Sequence, residues 1–274
     1  MYLKYRPEID GLRALAVGVV IAYHAKIQIS EHSKFLEGGF LGVDIFFVIS
    51  GYLISSIIFK ELFKHGKFSF LKFFERRIRR IVPVLFFVIF TCLPIAWLII
   101  LPENLISFAK SIISTTGFSS NYFFHFNQQN YISLDSLYVP LLHTWSLAVE
   151  EQFYLLFPFL IFIFYRYLRS YIFYLLLLIF LISIVYSHQL SSSQISLNFY
   201  SLQSRIWEIL AGSLLSYLEF TKLKKYKQTG LRDIFIFLGI ILIFYSIFYF
   251  NESTAHPSFN TFPTILGVCL LIWL

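Results

Sequence analysis

Two ionisable residues in the first apolar segment, Arg13 and His24, stand eleven positions apart. At 100° per residue that interval is about three full turns plus roughly 20°, so a helix puts both on one face. The rise between them is roughly 16 Å, about half of the 30 Å hydrocarbon core of a bilayer. An anionic head held by Arg13, with a long thin arm reaching His24, would suit that spacing. Histidine titrates near neutral pH and serves as a general base or acid. The plainer reading is a buried histidine satisfied by a neighbouring helix.

Other ionisable residues interrupt apolar runs in the same way. Each costs roughly 2.5–3.5 kcal/mol at a helix centre, so a site or a partner is the default expectation. Asp44 lies in Gly38-Gly39-Phe40-Leu41-Gly42-Val43-Asp44, ahead of Ser50-Gly51-Tyr52. The glycines permit close helix approach. Asp44 could orient His24 or raise its pKa, or equally pair with an arginine or tyrosine. Ser50 lacks the strand-to-helix elbow of a nucleophile. The run Glu75-Arg76-Arg77-Ile78-Arg79-Arg80-Ile81-Val82-Pro83 places four arginines in five residues. They can serve as a membrane anchor. Arginine forks also suit phosphates, and Arg77 and Arg80 share a helical face. With Arg13 they could form a pocket for an anionic ligand. Glu150 and Glu151 open a fourth candidate after His143-Thr144-Trp145, but adjacent side chains point about 100° apart, so at most one faces a given partner. Arg205 and Glu208, at i and i+3, read first as an internal ion pair.

The elements that must position these residues are transmembrane helices. The chain has 274 residues, 58% hydrophobic and 14% charged, with a mean hydropathy of +0.72. A soluble domain is about 25% charged, and so apolar a chain could not hide its surface in water. The bilayer is the solvent that fits, which sets aside a soluble enzyme, a disordered tail and a disulfide-stapled domain. Apolar runs fall at Leu12–Ile29, Phe40–Phe59, Ile81–Leu101, Leu147–Tyr165, Tyr171–Tyr186, Leu202–Leu218, Ile234–Phe250 and Phe262–Leu274. The expected fold is therefore an all-α integral membrane bundle with about eight spans. The last run meets the chain end at Trp273-Leu274 with no basic anchor, which reads as a C-terminal truncation.

Charge gives the orientation. With the N-terminus cytoplasmic, one side collects 18 of the 22 basic residues, leaving Lys26, Lys34, Lys110 and Arg205. That is the positive-inside pattern. The net charge of +7 is thus a matter of membrane topology rather than nucleic acid. Cys92 and Cys269 lie in apolar runs, and no metal-ligand spacing occurs. On the outer side, the loop from Pro102 to about Ser146 is aromatic and amide-rich (Asn121, Tyr122, His125, Asn127, Gln128, Gln129, Asn130, Tyr131), with an interfacial helix expected near Leu105–Thr116. Such a loop suits sugar rings and hydroxyls, or simply the interfacial belt.

Taken together, Arg6-Pro7-Glu8-Ile9-Asp10-Gly11-Leu12-Arg13 with His24, the Gly42 to Tyr52 block, Arg76 to Pro83, His143 to Tyr154 and Arg205 to Gly212 resemble the membrane-bound acyltransferase 3 family. The five blocks occur in family order across almost the whole chain, most like the bacterial branch that O-acetylates lipopolysaccharide O-antigen and related surface glycans. The resemblance implies a ten-helix domain that takes an acyl group, most simply acetyl, from cytosolic acetyl-CoA. The acceptor would be a glycan hydroxyl at the periplasmic face of the bacterial inner membrane. It implies His24 as the catalytic residue, assisted by Asp44 or Glu150, and Arg13 with Arg77 and Arg80 as the CoA-binding set. Arg76 with Arg79 offers a second register. Tyr52, Trp145, Glu151, Arg205 and Glu208, within the same blocks, are assigned to substrate contact. Against this pattern the last family helices are missing, as is the periplasmic hydrolase-like domain often attached, so an inactive fragment is one alternative. A transporter or flippase of a glycan or anionic solute is the other.

Overall fold

A computed structural model describes residues 5–25, 28–30, 33–34, 36–127, 139–221 and 229–274. Each of the eight apolar runs is largely helical, and the protein is an all-α integral membrane protein. The helices are α1 (Pro7–His24), α2 (Gly42–His65), α3 (Phe70–Ile99), α4 (Pro102–Thr116), α5 (Ser120–Phe126), α6 (Thr144–Tyr167), α7 (Ile172–Ser193), α8 (Ile195–Tyr200), α9 (Leu202–Phe220), α10 (Thr229–Tyr249) and α11 (Phe262–Trp273). Five helical segments are long and apolar enough to cross a bilayer: Glu37–His65, Phe70–Ile99, Thr144–Tyr167, Arg169–Ser193 and Gly230–Tyr249. α1, α9 and α11 are shorter or more charged and run packed against these.

The first helix ends at His24 rather than Ile29, because the chain leaves it for a short antiparallel pair, Gln28–Ser30 with Ser33–Lys34. The interfacial helix expected near Leu105–Thr116 is α4, opened by Pro102 in its first turn, where a missing N–H costs nothing.

α2 is the axis of the bundle, with α9 packed along it. Gly51 and Gly212 make that approach. A Cβ on Gly51 would collide with the Ile209 carbonyl, and one on Gly212 with the Val48 carbonyl. One side of α2 buries Phe47, Ile54 and Ile58 with Trp145, Phe153 and Phe157 of α6. The other buries Ile45, Val48 and Ile49 with Ala16, Trp207 and Val268. α3 is bound differently. Only Phe73, Leu85, Ile89 and Ala96 of its 30 residues are buried, and Pro83 and Pro94 interrupt its hydrogen-bond ladder.

Because the helices alternate in direction, their basic ends coincide. Arg6 before α1 donates to Tyr52 Oη of α2 and to the Ile272 carbonyl of α11, and lies 3.6 Å from Glu219 of α9. Arg76 of α3 binds Glu61 of α2 at 2.9 Å, and Arg169 lies over the Phe63 ring. The opposite end carries His24, His143 and the loop between α10 and α11.

Candidate active site

A cavity of about 700 Å³ opens between α1, α2, α3 and α6. Its walls hold Arg13, Glu61, Arg76, Arg77, Arg80, Glu150 and Glu151 among apolar residues from Phe46 to Ile57. Along α2 it runs from Phe46 to Glu61, fifteen residues or roughly 22 Å, most of a hydrocarbon core. Helix periodicity explains the cations. Arg76, Arg77 and Arg80 fall on the inward arc of α3, whereas Arg79 points away, 77% exposed and paired with Glu75 at 2.9 Å. The Arg77–Arg80 register therefore faces the cavity, joined by Arg76, and Arg13 completes the set from α1.

The anionic wall comes from α6. Ser50 donates to Glu150 Oε2 at 2.9 Å and Tyr154 to the same oxygen at 2.7 Å. Arg77 lies 4.9 Å over the Tyr154 ring. Glu151 also lines the cavity, and its buried Oε1 has no hydrogen-bond partner among the described residues. Both glutamates reach the same space from neighbouring angles, although their directions differ by about 100°.

His24 does not line this cavity. It is exposed at the end of α1, with Nδ1 2.9 Å from the Val20 carbonyl. A carbonyl only accepts, so in the neutral ring Nδ1 carries the hydrogen and Nε2 the lone pair. His143, one turn beyond the cavity residue Leu147, lies close enough to feel it. The pKa of His143 is lowered, first by desolvation and further by the like charge of His24. The two imidazoles thus share the end of the bundle beyond Phe46 and Leu147.

Asp44 is not brought to His24. It is fully buried, with Oδ1 2.9 Å from Arg205 Nη1 and both oxygens 3.0 Å from His256 Nε2. Arg205 also reaches Glu208 at 3.1 Å, the i, i+3 pair read from the sequence. Its guanidinium is layered between Trp145 and Phe199, at 5.3 and 5.0 Å from the ring centroids. Arg205, Glu208 and Trp145 are all buried, so the structure puts these three assigned substrate contacts into the core. Packing is the physical reason: two carboxylates on facing helices demand cations, and Arg205 stacked on Trp145 supplies one. Tyr52 is likewise committed at the basic end, donating to Glu219 at 2.5 Å beneath the Arg6 guanidinium.

His256 is the functional-looking residue that sequence reasoning missed. A signal existed: Asp44 and Glu208 are two carboxylates within apolar segments, and buried carboxylates call for further hydrogen-bond partners. Of the amides in the long loop, Asn121 turns inward and Asn127 is exposed. Gln152 donates to Asn121 Oδ1 at 2.9 Å and to the Phe118 carbonyl at 2.9 Å, and Asn121 donates to the Tyr200 carbonyl at 3.0 Å. Tyr122 donates to Gln203 at 2.9 Å. Gln128, Gln129, Asn130 and Tyr131 lie outside the described residues.

Comparison with known proteins identifies the family. The sequence model of the family described as "Acyltransferase domain" (Acyl_transf_3) matches residues 6–274. The chain is 37% identical over 219 residues to "O-acetyltransferase OatA" of Staphylococcus aureus, covering 78% of this chain and 35% of that protein. It is 40% identical over 167 residues to "Peptidoglycan O-acetyltransferase OatA" of Listeria monocytogenes, covering 61% of this chain and 26% of that protein. The chain thus spans about a third or less of the length of these relatives. No solved structure matches it.

Proposed function

Because the chain belongs to the acyltransferase 3 family, we propose that it carries an acetyl group from acetyl-CoA, on the side of its basic end, to a hydroxyl of a cell-envelope glycan at the other. The positive-inside pattern makes the basic end cytoplasmic. The acceptor is read as a peptidoglycan-type glycan rather than O-antigen, by analogy with the Listeria relative, a peptidoglycan O-acetyltransferase.

The single observation that carries this reading is the shared cavity. Four guanidinium groups and three carboxylates, drawn from four helices, line one channel-shaped space. In this reading Arg13, Arg76, Arg77 and Arg80 hold the phosphates of CoA, and the pantetheine arm extends along α2 toward Phe46. His24 Nε2 takes the proton of the acceptor hydroxyl. The freed oxygen attacks the thioester carbonyl, the C–S bond breaks, and the thiolate leaves to be protonated. Glu150, fixed by Ser50 and Tyr154, is the charged group that borders the path of the arm. His143, whose pKa desolvation lowers, lies at the same end of the bundle as His24.

The test is consumption of labelled acetyl-CoA by proteoliposomes of the intact protein supplied with glycan acceptor. His24→Ala is expected to lower turnover by about 10²–10⁴, the usual worth of a positioned base, at unchanged membrane expression. Near-normal turnover would reject the role of His24. Movement of glycan or solute without loss of thioester would reject acyl transfer itself.

A further inference from the structure

Beyond the central cavity, a second one of about 560 Å³ opens at the basic end between α2 and α3, lined by Lys60, His65, Lys67, Phe68, Ser69 and Lys72 together with Ile57, Glu61 and Arg76. The last three also line the central cavity, so the two spaces adjoin at the Glu61–Arg76 ion pair. The hairpin that shapes this vestibule is well determined locally. Gly66 closes α2 in the left-handed region (φ +65°), its N–H bonded to the Leu62 carbonyl at 3.0 Å. Ser69 caps α3, and Phe68 packs on Phe70 and Phe73 at 4.9 and 5.6 Å. Lysines from two helices thereby converge beside the N-terminus of a 30-residue helix, whose dipole favours anions. Glu61 is the one carboxylate in the lining, and Arg76 offsets it.

The smaller cavity on the other side of Arg13 is the natural comparison. Its charges, Arg6 and Arg13 against Asp10 and Glu219, are balanced and bound to one another. The α2–α3 vestibule, by contrast, combines excess positive charge with an aromatic ring and shares a wall with the arginine cavity.

We propose that this vestibule binds the phosphomonoester-bearing nucleotide end of the donor, with Lys67 and Lys72 as the residues that select CoA over its 3′-dephospho form. The inference rests on the acetyl-CoA reading given above and adds a specificity site to it. Phe68 offers an aromatic face to the base, and the pyrophosphate passes Arg76 into the central cavity. Loss of a charge-assisted hydrogen bond to the 3′-phosphate then weakens CoA alone, by about tenfold.

Binding of CoA and 3′-dephospho-CoA to the intact protein in phosphatidylcholine vesicles tests this. The parent protein is expected to hold CoA about tenfold tighter. Lys67→Gln with Lys72→Gln should close that gap while leaving dephospho-CoA binding unchanged. Lys64→Gln removes a neighbouring charge outside the lining of this vestibule, and should leave the gap open. Equal affinities in the parent, equal weakening of both ligands by the paired substitutions, or closure of the gap by Lys64→Gln would each overturn the vestibule while the donor assignment stands. Binding of neither ligand by the parent would sink the donor assignment and the vestibule together. The same cations would also suit a lipid phosphate, so the measurement is repeated with phosphatidylglycerol added. A lysine effect confined to those vesicles would assign the site to lipid and overturn the proposal.

Discussion

Asp44 of α2 and His256 of the α10–α11 loop meet at 3.0 Å, across 212 positions of chain. The loop is held there by more than this contact. Ser187 and Asn198 both donate to the Pro257 carbonyl, at 3.0 and 2.7 Å. The contact ties the far end of the bundle to a buried ion cluster that also contains Arg205 and Glu208. A core carboxylate left without such partners would cost several kcal/mol.

Stability should therefore depend on pH through His256. Its pKa is lowered, chiefly by desolvation and further by Arg205, with Asp44 acting the other way. A histidine depressed in the folded state binds its proton more readily when unfolded. Stability is then full above the ordinary histidine range and falls as pH drops through it. The melting temperature of the detergent-solubilised protein is expected to decrease from pH 8 to pH 6. His256→Gln should melt lower at pH 8 and show a flatter profile. An unchanged slope in the variant would remove His256 from this account.

The α2–α9 contact predicts opposite outcomes for chemically identical changes. Gly51→Ala and Gly212→Ala push a methyl group into backbone and should each cost about 1–3 kcal/mol or abolish folding. Gly18→Ala meets nothing within 4 Å and should stabilise α1 by up to about 1 kcal/mol. Thermal melts of the three variants decide it, since similar shifts for all of them would deny the close approach.

Arginine register is testable by kinetics. Arg80→Ala should raise the KM for acetyl-CoA by about tenfold, the worth of one charge-assisted contact to phosphate. Arg79→Ala, on the exposed face with Glu75, should change it less than twofold. The reverse ranking would place the other register at the donor.

Much of this molecule was legible in its sequence, because lipid leaves few alternatives to a helix. Hydropathy found the helices and i, i+3 spacing found Arg205–Glu208, while arginine spacing on α3 left two registers open. What escaped was the identity of long-range partners. Asp44 and His24 look like neighbours when read along two adjacent helices. Only packing shows that Asp44 is claimed from the other side by Arg205 and His256. Tyr52 sits on the same helix as Asp44, yet two turns further along it belongs to the opposite end of the bundle. Amides that suit a sugar were equally suited to seaming α5 onto α6, and spacing alone does not distinguish the two uses.

The helix that supplies three of the four cavity arginines is also the least buried of the five long apolar spans and has two prolines in its ladder. A wall so lightly held offers little mechanical resistance, and tilting it would widen the entrance without disturbing the α2–α9 seam. Recognition at that doorway must then rest on charge matching rather than on a rigid outline. A bulky polyanion could be admitted and released at each turnover while the rest of the bundle stays still.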